Sequence, residues 1–115
     1  EARREHARRY DELLAATRCV TPRVSPQVRH VYHQYVIRVP RRDEVLDHLK
    51  TKGIGAGIHY PVPLHRQPAY VRLGYGGVEL PATELAASEV LSLPMYPELT
   101  DEQIEYVVDS IKEVL

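Results

Sequence analysis

The spacing of apolar residues along the chain predicts four helices separated by extended segments. In each predicted helix, apolar residues recur every three or four positions, which is the spacing that buries one helix face. The predicted helices run from Glu1 to Thr17, from Arg42 to Lys52, from Pro81 to about Leu91, and from Thr100 to the end of the chain.

The last helix has the strongest local signal. Thr100 and Gln103 form a capping-box pair immediately before its first apolar residue, and such a pair satisfies the free N–H groups at a helix start. Its apolar face consists of Ile104, Val107, Val108 and Ile111. We expect this face to be buried against the sheet.

Two segments have strand character. The run from Val28 to Val39 is rich in β-branched and aromatic residues, which favour strands. The residues expected on one face are Val31, Tyr35, Ile37 and Val39. The alternation from Gly53 to Tyr60 predicts a brief second strand, which Pro61 ends. The expected fold class is α+β, a small layered domain with a short three-stranded sheet covered by helices.

Two proline-rich stretches remain outside these elements. Residues 61–77 show no sustained period and predict a long loop with a helical turn. Residues 93–97 predict an extended exit from the third helix.

Length and composition indicate one domain and a local site. The chain has 115 residues, 43% of them hydrophobic and 27% charged, which suits a single domain spanning residues 1–115. A formal net charge of -1 provides no field to recruit nucleic acid or an anionic membrane, so neither partner is expected. Cys19 is the only cysteine, and no apolar run approaches the roughly 20 residues of a membrane span. We therefore expect a cytoplasmic protein.

Most of the candidate chemistry lies in a loop from His59 to Tyr70. The polar candidates there are His59, Tyr60, His65 and Arg66, and His33 on the predicted strand is a fifth. Prolines stiffen this loop, so its side chains could meet a polar ligand at a lower ordering cost. The alternative is a loop whose histidines and tyrosines only cap the edge of the sheet.

Other site types find less support. The histidine pairs at 30/33 and 59/65 lack a nearby acidic residue, so no metal site is expected. No serine lies in a nucleophile elbow, and the glycines from Gly53 to Gly57 precede neither a lysine nor a helix start, as a phosphate-binding loop requires. The residues alone indicate an α+β domain with one polar loop.

Three stretches, taken in order, resemble the C-terminal domain of the DegT/DnrJ/StrS family of sugar aminotransferases. They are HVYHQYVIRV from His30, IHYPVPLHRQPAY from Ile58, and LSLPMYPELTDEQ from Leu91. Nearly the whole chain takes part, and the second and third stretches are the most specific. The resemblance implies the small C-terminal domain of the aspartate-aminotransferase-like fold, without the large domain that binds the cofactor. A start inside a predicted helix, without a methionine, also suggests a fragment.

The resemblance further implies the chemistry of a parent enzyme. Family members use pyridoxal phosphate, held on a lysine of the large domain, to move an amino group, usually from glutamate, to a keto group of a nucleotide-linked sugar. Carried over by position, His59 and Tyr60 would line the sugar-nucleotide side of the cleft, with His65 and His33 as weaker candidates. Arg66 would contact a phosphate. The expected partners are the nucleotide sugar, the large domain and a second copy of the parent enzyme in a homodimer.

The three lysines of this chain, Lys50, Lys52 and Lys112, fall on predicted helices or their polar ends. A lysine that binds pyridoxal phosphate needs a desolvated or electrostatically tuned setting, so no cofactor is expected on this chain and the domain alone is expected to be inactive. Two other functional classes stay open, because small layered domains host many functions. They are a free-standing ligand-binding or regulatory domain, and a dimerisation domain.

Overall fold

The computed structural model describes residues 1–115. The fold consists of five helices and a two-stranded antiparallel sheet. In chain order the elements are α1 (Ala2–Leu14), β1 (Tyr35–Arg38), α2 (Arg42–Thr51), α3 (Pro68–Arg72), α4 (Pro81–Glu89), β2 (Val90–Leu93) and α5 (Asp101–Lys112), with short 3-10 turns at Leu64–Arg66 and Tyr75–Gly77. No helix is both long and apolar enough to cross a membrane.

The sheet has two strands and not the three expected. β1 and β2 pair antiparallel, with Ile37 opposite Leu91 and Val36 opposite Ser92. The predicted second strand at Gly53–Tyr60 is reduced to a single bridge between Gly57 and Ser92, whose backbone groups exchange hydrogen bonds of 3.1 and 2.8 Å. Glycines have no side chain to pack and Pro61 has no N–H to donate, so the pairing does not extend. The α+β class is confirmed.

The first predicted strand is shorter than Val28–Val39. Tyr32 adopts a left-handed backbone conformation with φ of 49°, which turns the chain before β1 begins at Tyr35. Tyr35, Ile37 and Val39 are buried as expected, but Val31 is 67% exposed and does not share their face.

The expectation that the third helix reaches Leu91 is wrong, because Val90 takes an extended conformation and starts β2. The first helix also ends earlier than expected, at Leu14. Helix α2 is confirmed almost residue for residue. The loop at residues 61–77 contains α3 and the two 3-10 turns, where one helical turn was expected.

The capping box and the apolar face of α5 are both confirmed. Thr100 Oγ1 accepts a hydrogen bond from the Gln103 backbone N–H, and the Gln103 side chain accepts one from Thr100 N–H. The expected face is buried, and α5 also lies beside α1 and α2. Its side chains share one core with Ile37 and Leu91 of the strands.

Candidate functional site

His59 is held in a fixed orientation by the strand next to it. Its Nδ1 lies 2.8 Å from the Oγ of Ser92, a residue of β2 that is 7% exposed. The bridge between Gly57 and Ser92 brings the backbone of the two segments together two residues before His59. The contact leaves Nε2 of the imidazole free to donate or accept a hydrogen bond, depending on the ring tautomer.

Gly57 gives the imidazole the room it occupies. A Cβ atom built on Gly57 would lie 3.3 Å from Cε1 of His59. At Gly55, two residues earlier, an added Cβ would meet nothing within 4 Å. A side chain at position 57 would crowd the His59 imidazole, so glycine at this position leaves the space that the ring occupies.

His59 also separates two open clefts. One, of about 430 Å³, is lined by His33, Gln34, Gly57, His59, Ser92 and Met95, among others. The other, of about 270 Å³, lies between the loop and α4 and includes His59, Tyr60, Pro63, Thr83 and Ala87. The structure therefore brings His33 and His59 to one cleft, and His59 and Tyr60 to the other.

Tyr60 is largely exposed to solvent. Its side chain is 75% exposed, and its ring meets the His59 ring edge to face with centroids 5.7 Å apart, across a cis peptide bond. An imidazole and a phenol thus lie side by side in the lining of the second cleft. Both groups can exchange hydrogen bonds with hydroxyl groups.

His65 and Arg66 point elsewhere, to Glu84 on α4. His65 Nε2 lies 2.9 Å from Glu84 Oε1, and the same oxygen accepts hydrogen bonds from Nε and Nη2 of Arg66 at 2.9 and 2.7 Å. Arg66 Nη1 donates to the carbonyl oxygen of Gly76 at 2.8 Å. Hydrogen bonds from His65 and then Arg66 lower the pKa of the Glu84 carboxyl below its ordinary value.

Neither His65 nor Arg66 lines the two clefts at His59. His65 is buried, whereas Arg66 is partly exposed and keeps two of its five N–H donors for another acceptor. Sequence reasoning missed Gly57, Ser92 and Glu84. A signal for Glu84 does exist, because Glu79 and Glu84 are the first acidic residues after the His65–Arg66 pair.

The lysines do not fit a cofactor site. Lys50 pairs with Asp47, Lys52 with Glu113 and Lys112 with Asp109, all at the surface. The ion pair with Glu113 raises the pKa of Lys52 above its ordinary value, which disfavours the neutral amine that would react with an aldehyde. No group of three or more histidine, cysteine, aspartate or glutamate side chains is arranged to hold a metal ion.

Comparison with known proteins extends along nearly the whole chain. The model of the DegT/DnrJ/EryC1/StrS aminotransferase family matches residues 1–112. The chain is 49% identical over 116 residues to a protein of Geobacillus stearothermophilus named pleiotropic regulatory protein, covering 98% of this chain and 31% of the relative. It is 37% identical over 118 residues to dTDP-3-amino-3,4,6-trideoxy-alpha-D-glucose transaminase of Micromonospora megalomicea subsp. nigra, covering 98% of this chain and 32% of the relative.

Among solved structures, DesV of S. venezuelae in complex with a ketimine intermediate matches with a TM-score of 0.86 and 37% identity. That match covers 97% of this chain and 30% of DesV. The chain thus spans about a third of the length of the curated relatives it matches. On the family match from residue 1 to residue 112, the chain belongs to the DegT/DnrJ/EryC1/StrS aminotransferase family.

Proposed function

We propose that this chain is the C-terminal, substrate-closing domain of a pyridoxal-phosphate-dependent aminotransferase. The reaction moves an amino group from glutamate to the keto group of a nucleotide-linked sugar. The observation that carries the proposal is the family match over residues 1–112. The transaminase from Micromonospora, whose name specifies a dTDP-linked amino sugar, supports the substrate class.

In this proposal the domain binds and orients the sugar nucleotide. His59, fixed through Nδ1 by Ser92, presents Nε2 to a hydroxyl group of the substrate. Tyr60 offers its phenol beside it, and His33 contributes from the lining of the first cleft. Arg66 would use its remaining N–H donors on a phosphate, while His65 is a binding candidate only if its contact with Glu84 opens.

The cofactor belongs to the rest of the parent enzyme. Pyridoxal phosphate, when bound, supplies the electron sink for amino transfer. Because every lysine of this chain is ion-paired at the surface, we place the cofactor on the large domain and expect no activity from this domain alone. We further propose that the parent enzyme is a cytoplasmic homodimer, since two-fold dimers are the commonest oligomers.

The test is made in the full-length protein with His59→Ala and Tyr60→Phe. Each change removes one hydrogen bond to substrate, so kcat/KM for the nucleotide sugar should fall about tenfold, while the visible spectrum of the bound cofactor stays unchanged. Tyr75→Phe is the matched control, because Tyr75 is also an exposed tyrosine of this part of the chain. Wild-type kinetics in both site variants would contradict the assignment.

A second candidate is a regulatory, ligand-binding role without catalysis. It is favoured by the name of the Geobacillus relative, which is 49% identical. The two functions separate in one experiment on the full-length protein. Transfer of nitrogen from 15N-labelled glutamate to a keto sugar nucleotide supports the enzyme, whereas binding of the nucleotide without transfer supports the regulatory role.

A further inference from the structure

Residues 60–79, called here the projecting segment, have few attachments to the rest of the domain. Their backbone hydrogen bonds, such as Arg66 N–H to Pro63 and Val78 N–H to Tyr75, all stay within the segment. No backbone hydrogen bond joins the segment to any other part of the chain. Another interaction must therefore hold it in place.

Apolar packing contributes little to that interaction. The segment's short helix α3 and its two 3-10 turns contact one another, but no apolar residue of the segment belongs to the core. Its large apolar side chains remain exposed, including Leu64, Val71 and Leu73. A segment that buries so little apolar surface gains little stabilisation from the hydrophobic effect.

The hydrogen-bonded attachment of the segment to the rest of the domain is a single carboxylate, that of Glu84. The side-chain hydrogen bonds that connect the segment to the rest of the chain all end on Glu84 Oε1, and they come from His65 and Arg66. Bonds to an ionised acceptor are about twice as strong as those between neutral groups. His65 is also the segment's only buried residue, at 7% exposure, so the point of attachment is shielded from water.

The same contact fixes the segment internally. Arg66 reaches Glu84 with two of its nitrogens and the carbonyl oxygen of Gly76 with the third. It thereby joins the start of the segment, its second 3-10 turn and helix α4. Thr83 and Ala87, which flank Glu84 on α4, line the cleft shared with His59, Tyr60 and Pro63. The attachment therefore lies beside the cleft that holds the two main candidate residues.

We infer that Glu84 is a positioning residue for substrate binding: through His65 and Arg66 it holds the projecting segment against α4 and thereby sets the position of Tyr60, and of the loop wall of the cleft that includes His59, toward the nucleotide sugar. The inference rests on the proposed function for its substrate. Glu84 itself acts only through these neighbours and touches no substrate.

The test uses the full-length protein with Glu84→Ala, Glu84→Gln and the matched control Glu79→Ala. Glu79 is an acidic residue at the end of the same segment that makes no ion pair or side-chain hydrogen bond, so its removal changes the charge equally. Two quantities are measured: amide hydrogen exchange of residues 60–79, and the KM and kcat for the nucleotide sugar.

We expect Glu84→Ala to accelerate exchange in the segment and to raise the sugar KM, each by about tenfold, since it removes charge-assisted hydrogen bonds. The value of kcat should change less than KM. Glu84→Gln retains an acceptor oxygen and should rescue part of both effects. Glu79→Ala should match the wild type.

Unchanged exchange or an unchanged sugar KM in Glu84→Ala would overturn the inference, as would an equal effect of Glu79→Ala. The result for His59→Ala distinguishes failure of the positioning role from failure of the proposed function. If His59→Ala impairs the sugar reaction and Glu84→Ala does not, only the positioning role fails. If neither affects the reaction, the proposed function fails as well. Should Glu84→Ala fold poorly, Glu84→Gln decides by the same two measurements.

Discussion

The part of the chain that folds the domain and the part that carries most of the candidate site differ in how they use apolar residues. Residues 1–58 and 90–115 supply all 18 members of the hydrophobic core, and residues 60–89 supply none. Of the 16 large apolar residues that are exposed, ten lie between Tyr60 and Leu85. The core therefore determines the fold, while polar contacts place the projecting segment and α4 beside it.

The difference also separates stability from function. A substitution in the core should change the free energy of unfolding, whereas one in residues 60–89 should change the placement of Tyr60 beside His59. Three measurements test this difference between the core and residues 60–89, and each has an outcome that would contradict it.

The largest effect is expected from Ile111→Asp on α5. Ile111 is 0% exposed, so the substitution places an unpaired charge in the core and should lower the free energy of unfolding by about 3–5 kcal/mol. Leu85→Asp is the matched control on α4, where the leucine is 50% exposed, and it should cost no more than about 0.5 kcal/mol. Denaturant unfolding of the domain measures both. Equal losses in the two variants would show that α4 belongs to the cooperative core.

The second effect is a loss of stability at alkaline pH that originates in two stacked tyrosines. Tyr10 and Tyr35 are 0% exposed with ring centroids 4.8 Å apart, and Tyr35 OH donates a 2.6 Å hydrogen bond to Asp11. Burial raises the pKa of both phenols above the ordinary value, and for Tyr35 the bond to Asp11 adds to the effect. Both must remain protonated in the folded state.

The sign of the pH dependence follows from these raised pKa values. The contribution is fully present below the ordinary tyrosine pKa of about 10 and is lost as the pH rises above it, by about 1.4 kcal/mol per pH unit for each phenol. Tyr35→Phe should reduce the loss of unfolding free energy above pH 10 by the contribution of one phenol, about 1.4 kcal/mol per pH unit. Tyr60→Phe, at an exposed phenol of the projecting segment, is the control. Unfolding curves recorded from pH 8 to 11 measure this loss, and a slope insensitive to Tyr35→Phe would contradict this account.

Local signals predicted the helices better than the strands. α5 carries its own capping box and apolar spacing, and α2 its own apolar face, so neither needs distant residues to be recognised. β2 was missed because Val90 and Leu91 continue the apolar pattern of α4. What makes them a strand is the pairing of Leu91 with Ile37, more than fifty residues away in the chain.

The candidate site divides in the same way. His59 and Tyr60 stand out within one short proline-rich stretch, and the structure does place them together at a cleft. Their supports, Ser92 and Glu84, lie far along the sequence on β2 and α4, and each resembles an ordinary strand or surface residue. For His65 and Arg66, two glutamates were possible partners, and only the position of α4 selects Glu84 over Glu79.

The smallest effect, and the most specific, is expected from Gly57→Ala in the full-length protein. The new Cβ would lie 3.3 Å from His59 Cε1, so the imidazole must shift by a few tenths of an ångström while the backbone need not move. Such a displacement should raise the KM for the nucleotide sugar about threefold, because substrate binding depends on the placement of the hydrogen-bonding groups. Gly55→Ala is the matched control, since its Cβ meets nothing within 4 Å. Both substitutions restrict the unfolded chain similarly, so the melting temperatures should agree while the KM values differ. Equal KM values in the two variants would mean that the position of His59 does not limit substrate binding.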